Sequence, residues 1–250
     1  MKAIDLVSLS KTFQSGSESI SVLKDFNLSI AANEFVSIIG SNGSGKSTLL
    51  NLLSGKIKPD QGKIFIQGKE VQTLPEHKRA VWIARVFQDP MQGTAPDLSV
   101  LENFRLAITR TSSKGLGIHT GKAFQEVVKE KIAQLGLGLE TKINQEMGKL
   151  SGGQRQALTL LMASMTDADV LLMDEPTAAL DPKTAALILE LAQKFHEQRG
   201  WTTLMVTHNL KDAKEIGNRI ILMKSGKIYK DLNGIDKDKV ELTEIVNWFD

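Results

Sequence analysis

Gly40-Ser41-Asn42-Gly43-Ser44-Gly45-Lys46-Ser47 satisfies the pattern G-x-x-x-x-G-K-[ST], and it follows the apolar run Phe35-Val36-Ser37-Ile38-Ile39. A buried strand feeding such a loop is the phosphate-binding arrangement of nucleoside triphosphatases. Three glycines let the backbone curl so that successive N–H groups converge on an anion, and a helix expected near Lys46 adds the positive end of its dipole. The pattern sends Lys46 to the β- and γ-phosphates and gives Mg2+ the Ser47 hydroxyl. Thr48, Leu49, Leu50, Leu52 and Leu53 continue a helix able to bury itself on a sheet. An accidental glycine-rich turn would lack this strand–loop–helix context, so the chain is expected to bind a nucleoside triphosphate.

Outward from the loop, residues 1 to 35 alternate apolar and polar, as in Ile4, Leu6, Val7 and Leu9 and again in Val22, Phe26, Leu28 and Ile30, which predicts antiparallel strands. Gly62 to Gly68 and Val81 to Phe87 are two more short strands. The rhythm then turns helical. Ser99 and Glu102 form a capping box ahead of Val100, Phe104, Ala107 and Ile108, and Phe124, Val128, Ile132 and Leu135 line a second helix across a polar connector, Thr111 to Gly121. Strands at Val170–Met173, Thr203–Val206 and Ile220–Met223 then alternate with a helix presenting Ile188, Leu191, Ala192 and Phe195. The expected fold is α/β: a phosphate-loop core with a mostly parallel sheet, an antiparallel N-terminal part and a helical insertion. One domain over 1–250 is expected, its core from 1–88 and 166–250 and its insertion from 89–165.

Composition bounds the function. The 250 residues include 31 basic and 29 acidic side chains, a net charge of +2 that argues for no polyanionic partner. The absence of cysteine removes disulfides, zinc thiolates and thiol catalysis. No run approaches the ~18 to 20 apolar residues of a membrane span, since Val170-Leu171-Leu172-Met173 stops at Asp174-Glu175, and the start lacks a signal peptide. A soluble, cytosolic chain is expected.

Two acids at the end of a buried strand suit a site at the carboxyl edge of a parallel sheet. Asp174 can hold Mg2+ while Glu175, on the other side, polarises a water for in-line attack; the plainer alternative is an acidic helix cap. Leu150-Ser151-Gly152-Gly153-Gln154-Arg155-Gln156 precedes a helical stretch, so Ser151 can cap a helix whose first N–H groups stay free for a second anion.

Here the chain resembles the ATP-binding-cassette family, whose signature sequence Leu150-Ser151-Gly152-Gly153-Gln154 matches. The smaller family marks fall in order: Phe13 for stacking on adenine, Gln88 for Mg2+ and the attacking water, Ala179-Leu180-Asp181 after the acidic pair, and His208 after a strand. Phe13 stands where tyrosine is usual, and Ala178 where serine is frequent. The resemblance implies ATP and Mg2+ as ligands, Glu175 and His208 as catalytic residues, and Asp181 as a cross-dimer residue. It also implies a head-to-tail homodimer with ATP between Lys46's loop and the partner copy's signature.

Two functions remain: an energising subunit on a separate membrane permease, and a cytosolic cassette acting on nucleic acid or ribosomes. Translation-type members usually carry two cassettes and repair types a long coiled coil, and no basic tract suggests a nucleic-acid groove, so transport is expected. The stretch Asp89 to Leu98, with Met91 and Leu98, would receive the permease. With a closing amphipathic helix, Leu242, Ile245, Val246 and Phe249, no further regulatory domain is expected. Phe87 to Pro96 looks most like importers of amino-acid-type solutes. A place on the inner face of the cell membrane, beside a permease and an extracytoplasmic binding protein, would follow.

Overall fold

The computed structural model describes residues 1–16, 18–109 and 121–249. The N-terminal alternation forms a hairpin of β1 (Lys2–Ser15) and β2 (Glu18–Ala31). In β1, Ile4 and Leu6 stand opposite Ile30 and Leu28 on one side and Ile66 and Ile64 of β4 (Gln61–Ile66) on the other. A period of two places these residues on one face, which becomes core. With β5 (Lys69–Glu70) the antiparallel sheet has the order β2-β1-β4-β5.

The second sheet contains β3 (Phe35–Ile39), β6 (Ile83–Val86), β7 (Val170–Asp174), β8 (Thr202–Val206), β9 (Arg219–Lys224) and β10 (Lys227–Asn233), in the order β10-β9-β3-β8-β7-β6. All neighbours pair parallel except β10, an antiparallel edge strand that no sequence feature had suggested. Val170 and Leu172 pack towards α1 (Lys46–Ser54) and the antiparallel sheet, whereas Leu171 and Met173 pack into the helical layer opposite. Burial on both faces is why these strands read as unbroken apolar runs.

After α2 (Glu76–Arg79), the chain between β6 and β7 holds a 3-10 turn at Pro90–Gly93, then α3 (Val100–Thr109), α4 (Lys122–Ala133) and α5 (Gly152–Ser164). The capping box before α3 forms as expected: Glu102 N donates to Ser99 Oγ at 3.2 Å and Ser99 N to Glu102 Oε2 at 2.8 Å. Of the expected connector, residues 111–120 lie outside the described residues. Leu135 lies beyond α4 yet joins the same apolar cluster as Phe124, Val128 and Ile132.

The chain finishes with α6 (Pro182–Arg199), α7 (Leu210–Glu215), α8 (Gly234–Lys239) and α9 (Leu242–Asn247). The expected face of α9 holds in part, since Ile245 is buried and Phe249 packs against the same cluster. Ile245 and Trp248 are buried, while Leu242 and Val246 are exposed, because the helix packs through a narrower stripe. Among the described residues, no helix is long and apolar enough to cross a membrane.

Candidate functional site

The strand order sets the carboxyl ends of β3, β8, β7 and β6 side by side, the edge where open α/β sheets hold ligands. From β3 the chain enters the glycine-rich loop. Gly40 has φ +154°, and a Cβ there would sit 2.4 Å from the carbonyl oxygen of Met223, so no larger residue fits. Gly45, at φ +101°, begins α1 without a side-chain cap, which leaves the first N–H groups of the helix to an external acceptor. Ser41, Asn42 and Gly43 are exposed, Ser44 is buried, and Thr48 is half-buried in the first turn. Lys46 arches over its own loop, donating to the carbonyls of Gly40 at 2.7 Å and Ser41 at 2.9 Å. Burial lowers its pKa, and Glu175 and Asp174 oppose that shift.

Asp174 closes β7 facing α1. Its Oδ1 accepts from Ser47 Oγ at 3.3 Å, and its Oδ2 lies 3.4 Å from Arg85 Nη2. Burial raises the pKa of Asp174, while Arg85 and the Ser47 hydroxyl lower it. Glu175 leaves the strand in the left-handed region, at φ +46°. For a non-glycine residue this conformation costs roughly 1–3 kcal/mol and persists only where the surroundings impose it. Here the Glu175 N–H donates to the carbonyl of Val206 at 2.9 Å, turning the side chain towards His208, whose Nδ1 lies 3.1 Å from Glu175 Oε2. The adjacent carboxylates thus face different partners.

Ser47 Oγ and Asp174 Oδ1 are two hard oxygens in contact, a donor pair that suits Mg2+ sharing its other positions with phosphate oxygens and water. Among the described residues no group of three or more His, Cys, Asp or Glu could hold a metal by themselves.

The remaining expected residues lie around this centre. Phe13 is on the exposed hairpin, 37% accessible, with Lys11 Nζ 5.5 Å from its ring centroid. Gln88 is exposed where β6 runs into the turn at Pro90–Gly93, and Asp89 caps that turn by accepting from Met91 N at 2.9 Å. Met91 is exposed but Leu98 is half-buried, its carbonyl accepting from Met147 N. Asp181 caps α6 by accepting from Thr184 N at 3.1 Å, and hydrogen bonding there lowers its pKa.

The start of α5 is more committed than expected. Ser151 Oγ accepts from Gln154 N at 3.3 Å, and Ser151 N donates to Gln154 Oε1 at 3.2 Å, so the third N–H of the helix is taken. A Cβ on Gly153 would lie 2.2 Å from Thr184 Cγ2, so a larger residue there would force the Thr184 side chain to move where α5 meets α6.

Three buried polar residues passed unnoticed in the sequence. Arg85 touches Asp174, and Arg79 donates to the carbonyls of Leu52 at 2.6 Å and Leu53 at 2.9 Å at the end of α1. Gln156 Nε2 donates to the carbonyls of Phe87 and Pro176, both at 3.1 Å, tying α5 to the residues flanking Gln88 and Glu175. Only Arg85 carried a signal, a charge inside the apolar run Val81 to Phe87; Arg79 ends the charged run Glu76-His77-Lys78 and Gln156 follows Gln154-Arg155. A cleft of about 920 Å³ also opens from Glu175 and His208 along α6 and α7, but the phosphate loop lines none of it.

A sequence profile of the ABC transporter family matches residues 23–178. The chain is 39% identical over 251 residues to a tyrosine transport ATP-binding protein of Clostridioides difficile, covering 99% of this chain and 98% of that one. It is 33% identical to a lipoprotein-releasing system ATP-binding protein of Idiomarina loihiensis, over 89% of this chain and 95% of that one. Among solved structures, a dimeric ATP-binding cassette of Methanocaldococcus jannaschii in a post-hydrolysis state with ADP and Pi superposes with a TM-score of 0.81. That match has 33% identity and covers 92% of this chain and 98% of that one. With its phosphate loop, strand-end acids and cassette architecture shared across nearly its whole length, the chain belongs to the ABC transporter family as an ATP-binding, ATP-hydrolysing subunit.

Proposed function

We propose that this subunit closes on ATP as a homodimer and drives a separate membrane permease that imports a small, amino-acid-like solute. The observation that carries the hydrolytic half is the contact of Ser47, next to Lys46 in the phosphate loop, with Asp174, and of Glu175 with His208, at neighbouring strand ends. The backbone N–H groups of residues 40–48 and the Lys46 ammonium bind the phosphates, with Phe13 beneath the base. Ser47, Asp174 and Gln88 hold Mg2+, which when bound neutralises the β- and γ-phosphate oxygens. Glu175 accepts a proton from water as that water attacks the γ-phosphorus and ADP leaves. His208, with Nδ1 3.1 Å from Glu175 Oε2, keeps the carboxylate and the γ-phosphate in line.

Ser151, Gly152, Gly153 and Gln154 of the partner copy would complete each site, with Asp181 reaching across. The capping box leaves the N–H groups of Gly152 and Gly153 as the donors, and Gln154 acts by holding Ser151. Residues 89–165 would move as a helical unit on the core of 1–88 and 166–250.

Import is supported by similarity to proteins named for spermidine/putrescine import and methionine import, at 34% and 32% identity, and the amino-acid-like solute by one named for tyrosine transport, at 39%. The reading places the subunit on the inner face of the cell membrane, beneath a permease and, outside, a substrate-binding protein. A cavity of about 330 Å³ beside the turn at Pro90–Gly93, lined by Gln92, Thr94 and the exposed Leu106, offers the permease a seat. Met91→Glu with Leu106→Glu should abolish co-purification with the permease while leaving ATP hydrolysis by the free subunit intact. Undiminished permease recovery, or recovery of ribosomes or DNA instead, would defeat the reading; uptake measured against efflux in vesicles decides direction.

A further inference from the structure

Arg85 stands in an otherwise apolar strand, and the register of β6 on β7 sets it opposite Leu172, two residues before Asp174. A period of two therefore gives Arg85, Leu172 and Asp174 the same face, the one covered by α1. The side chain is only 7% exposed. Burying a guanidinium is costly unless its partners are well placed.

Its head has three contacts. Nη2 lies 3.4 Å from Asp174 Oδ2, Nη1 donates to Ser54 Oγ at 3.2 Å, and the group lies 4.6 Å from the centroid of the Phe87 ring. Asp174 is thus gripped at both oxygens, by Arg85 at Oδ2 and by Ser47 at Oδ1. Ser47 is in the first turn of α1 and Ser54 is its last residue, so one guanidinium spans from the strand tip to the far end of the phosphate-loop helix.

We propose that Arg85 is a positioning residue: it fixes the Asp174 carboxylate with Oδ1 towards Ser47 and so governs how tightly Mg2+ accompanies ATP. This rests on the reading of Asp174 as a metal ligand. Two effects of the Arg85 charge compete. Repulsion of an incoming cation would weaken Mg2+ binding, whereas orientation of the carboxylate strengthens it. Orientation prevails because the guanidinium engages Oδ2 alone and leaves the lone pairs of Oδ1 free of the cation, and because partners of metal ligands typically govern affinity by about 10–100-fold. Lysine cannot replace it fully, since a single ammonium lacks the planar fork that reaches Asp174 and Ser54 while lying on Phe87.

The test uses the full chain and fluorescence of a trinitrophenyl derivative of ATP, titrated with Mg2+ and repeated in EDTA. Arg85→Met should raise the Mg2+ concentration at half-response by about 10–100-fold, with affinity in EDTA unchanged. Arg85→Lys should recover part of the loss. An Arg85→Met curve that is unshifted or shifted to lower Mg2+ while Asp174→Asn weakens Mg2+ overturns the role of Arg85. An unshifted Asp174→Asn curve overturns the reading of Asp174 instead. Equal loss of affinity in EDTA and in Mg2+ would make Arg85 merely structural and also overturn the proposal. Should Arg85→Met fail to fold, as judged by thermal unfolding, Arg85→Gln and Arg85→Lys carry the same comparison with the same criteria.

Discussion

Lys237→Met should change how the stability of this protein depends on pH. Lys237 is 2% exposed on α8, and its Nζ donates to the carbonyls of Ile216 at 2.6 Å and Gly217 at 2.5 Å, just past the end of α7. Burial, aided by the Lys214 charge and opposed by Asp238, pushes its pKa down to about 8. In the unfolded chain a lysine titrates near 10.4. Between those values the unfolded chain holds a proton that the native state has released, so stability rises with pH across this window. Below pH 8 the full burial penalty of the cation is present; above it the neutral amine keeps both hydrogen bonds without that penalty. Going from pH 7 to 9.5, the two pKa values give a gain of about 2 kcal/mol, less if water reaches the amine. Urea unfolding at both pH values, in the native chain and in Lys237→Met, isolates this gain from other titrating groups. The native protein should gain about 2 kcal/mol more than the variant. Parallel pH profiles would refute the reasoning.

Two further outcomes follow from the site. Lys46→Ala removes the cation that arches over the phosphate loop, and the loss of one charge-assisted contact should weaken ATP binding about 10–100-fold in a calorimetric titration; equal affinity would contradict it. Gln156→Leu strands the carbonyls of Phe87 and Pro176 and should lower stability by about 1–3 kcal/mol in urea unfolding; an unchanged midpoint would show that Gln156 holds nothing.

The core of the fold was legible because its physics is local. The run Phe35–Ile39, the glycine-rich loop and the strand ending in Asp174-Glu175 each carry pattern and chemistry together, and they form β3, its loop and β7. Ser99 with Glu102 and Ser151 ahead of α5 announced helix starts through side chains that satisfy backbone donors. What stayed hidden depends on distant partners. Arg79, Arg85 and Lys237 look like surface charges until the fold supplies carbonyls or a carboxylate. β10 has a solvated, half-polar pattern that only pairing with β9 makes a strand. The left-handed turn at Glu175 was equally invisible, since nothing in that residue type favours it. At α9 the periodicity named Leu242, Ile245, Val246 and Phe249, but the core takes Ile245 with Trp248 and Phe249 just beyond the helix and leaves Leu242 and Val246 outside.

Glu175→Gln tests the central claim most directly. The substitution keeps the size of the side chain but removes the carboxylate that lies 3.1 Å from His208. ATP should then bind without being turned over, and the ATP-closed state should accumulate. Size-exclusion chromatography with light scattering, in ATP and Mg2+, should show Glu175→Gln at twice the 27.4 kDa chain mass and at chain mass without nucleotide. Turnover in the variant should fall to a small residue of the native rate. Native-level hydrolysis by Glu175→Gln, or a chain that stays monomeric in saturating ATP, would contradict the account.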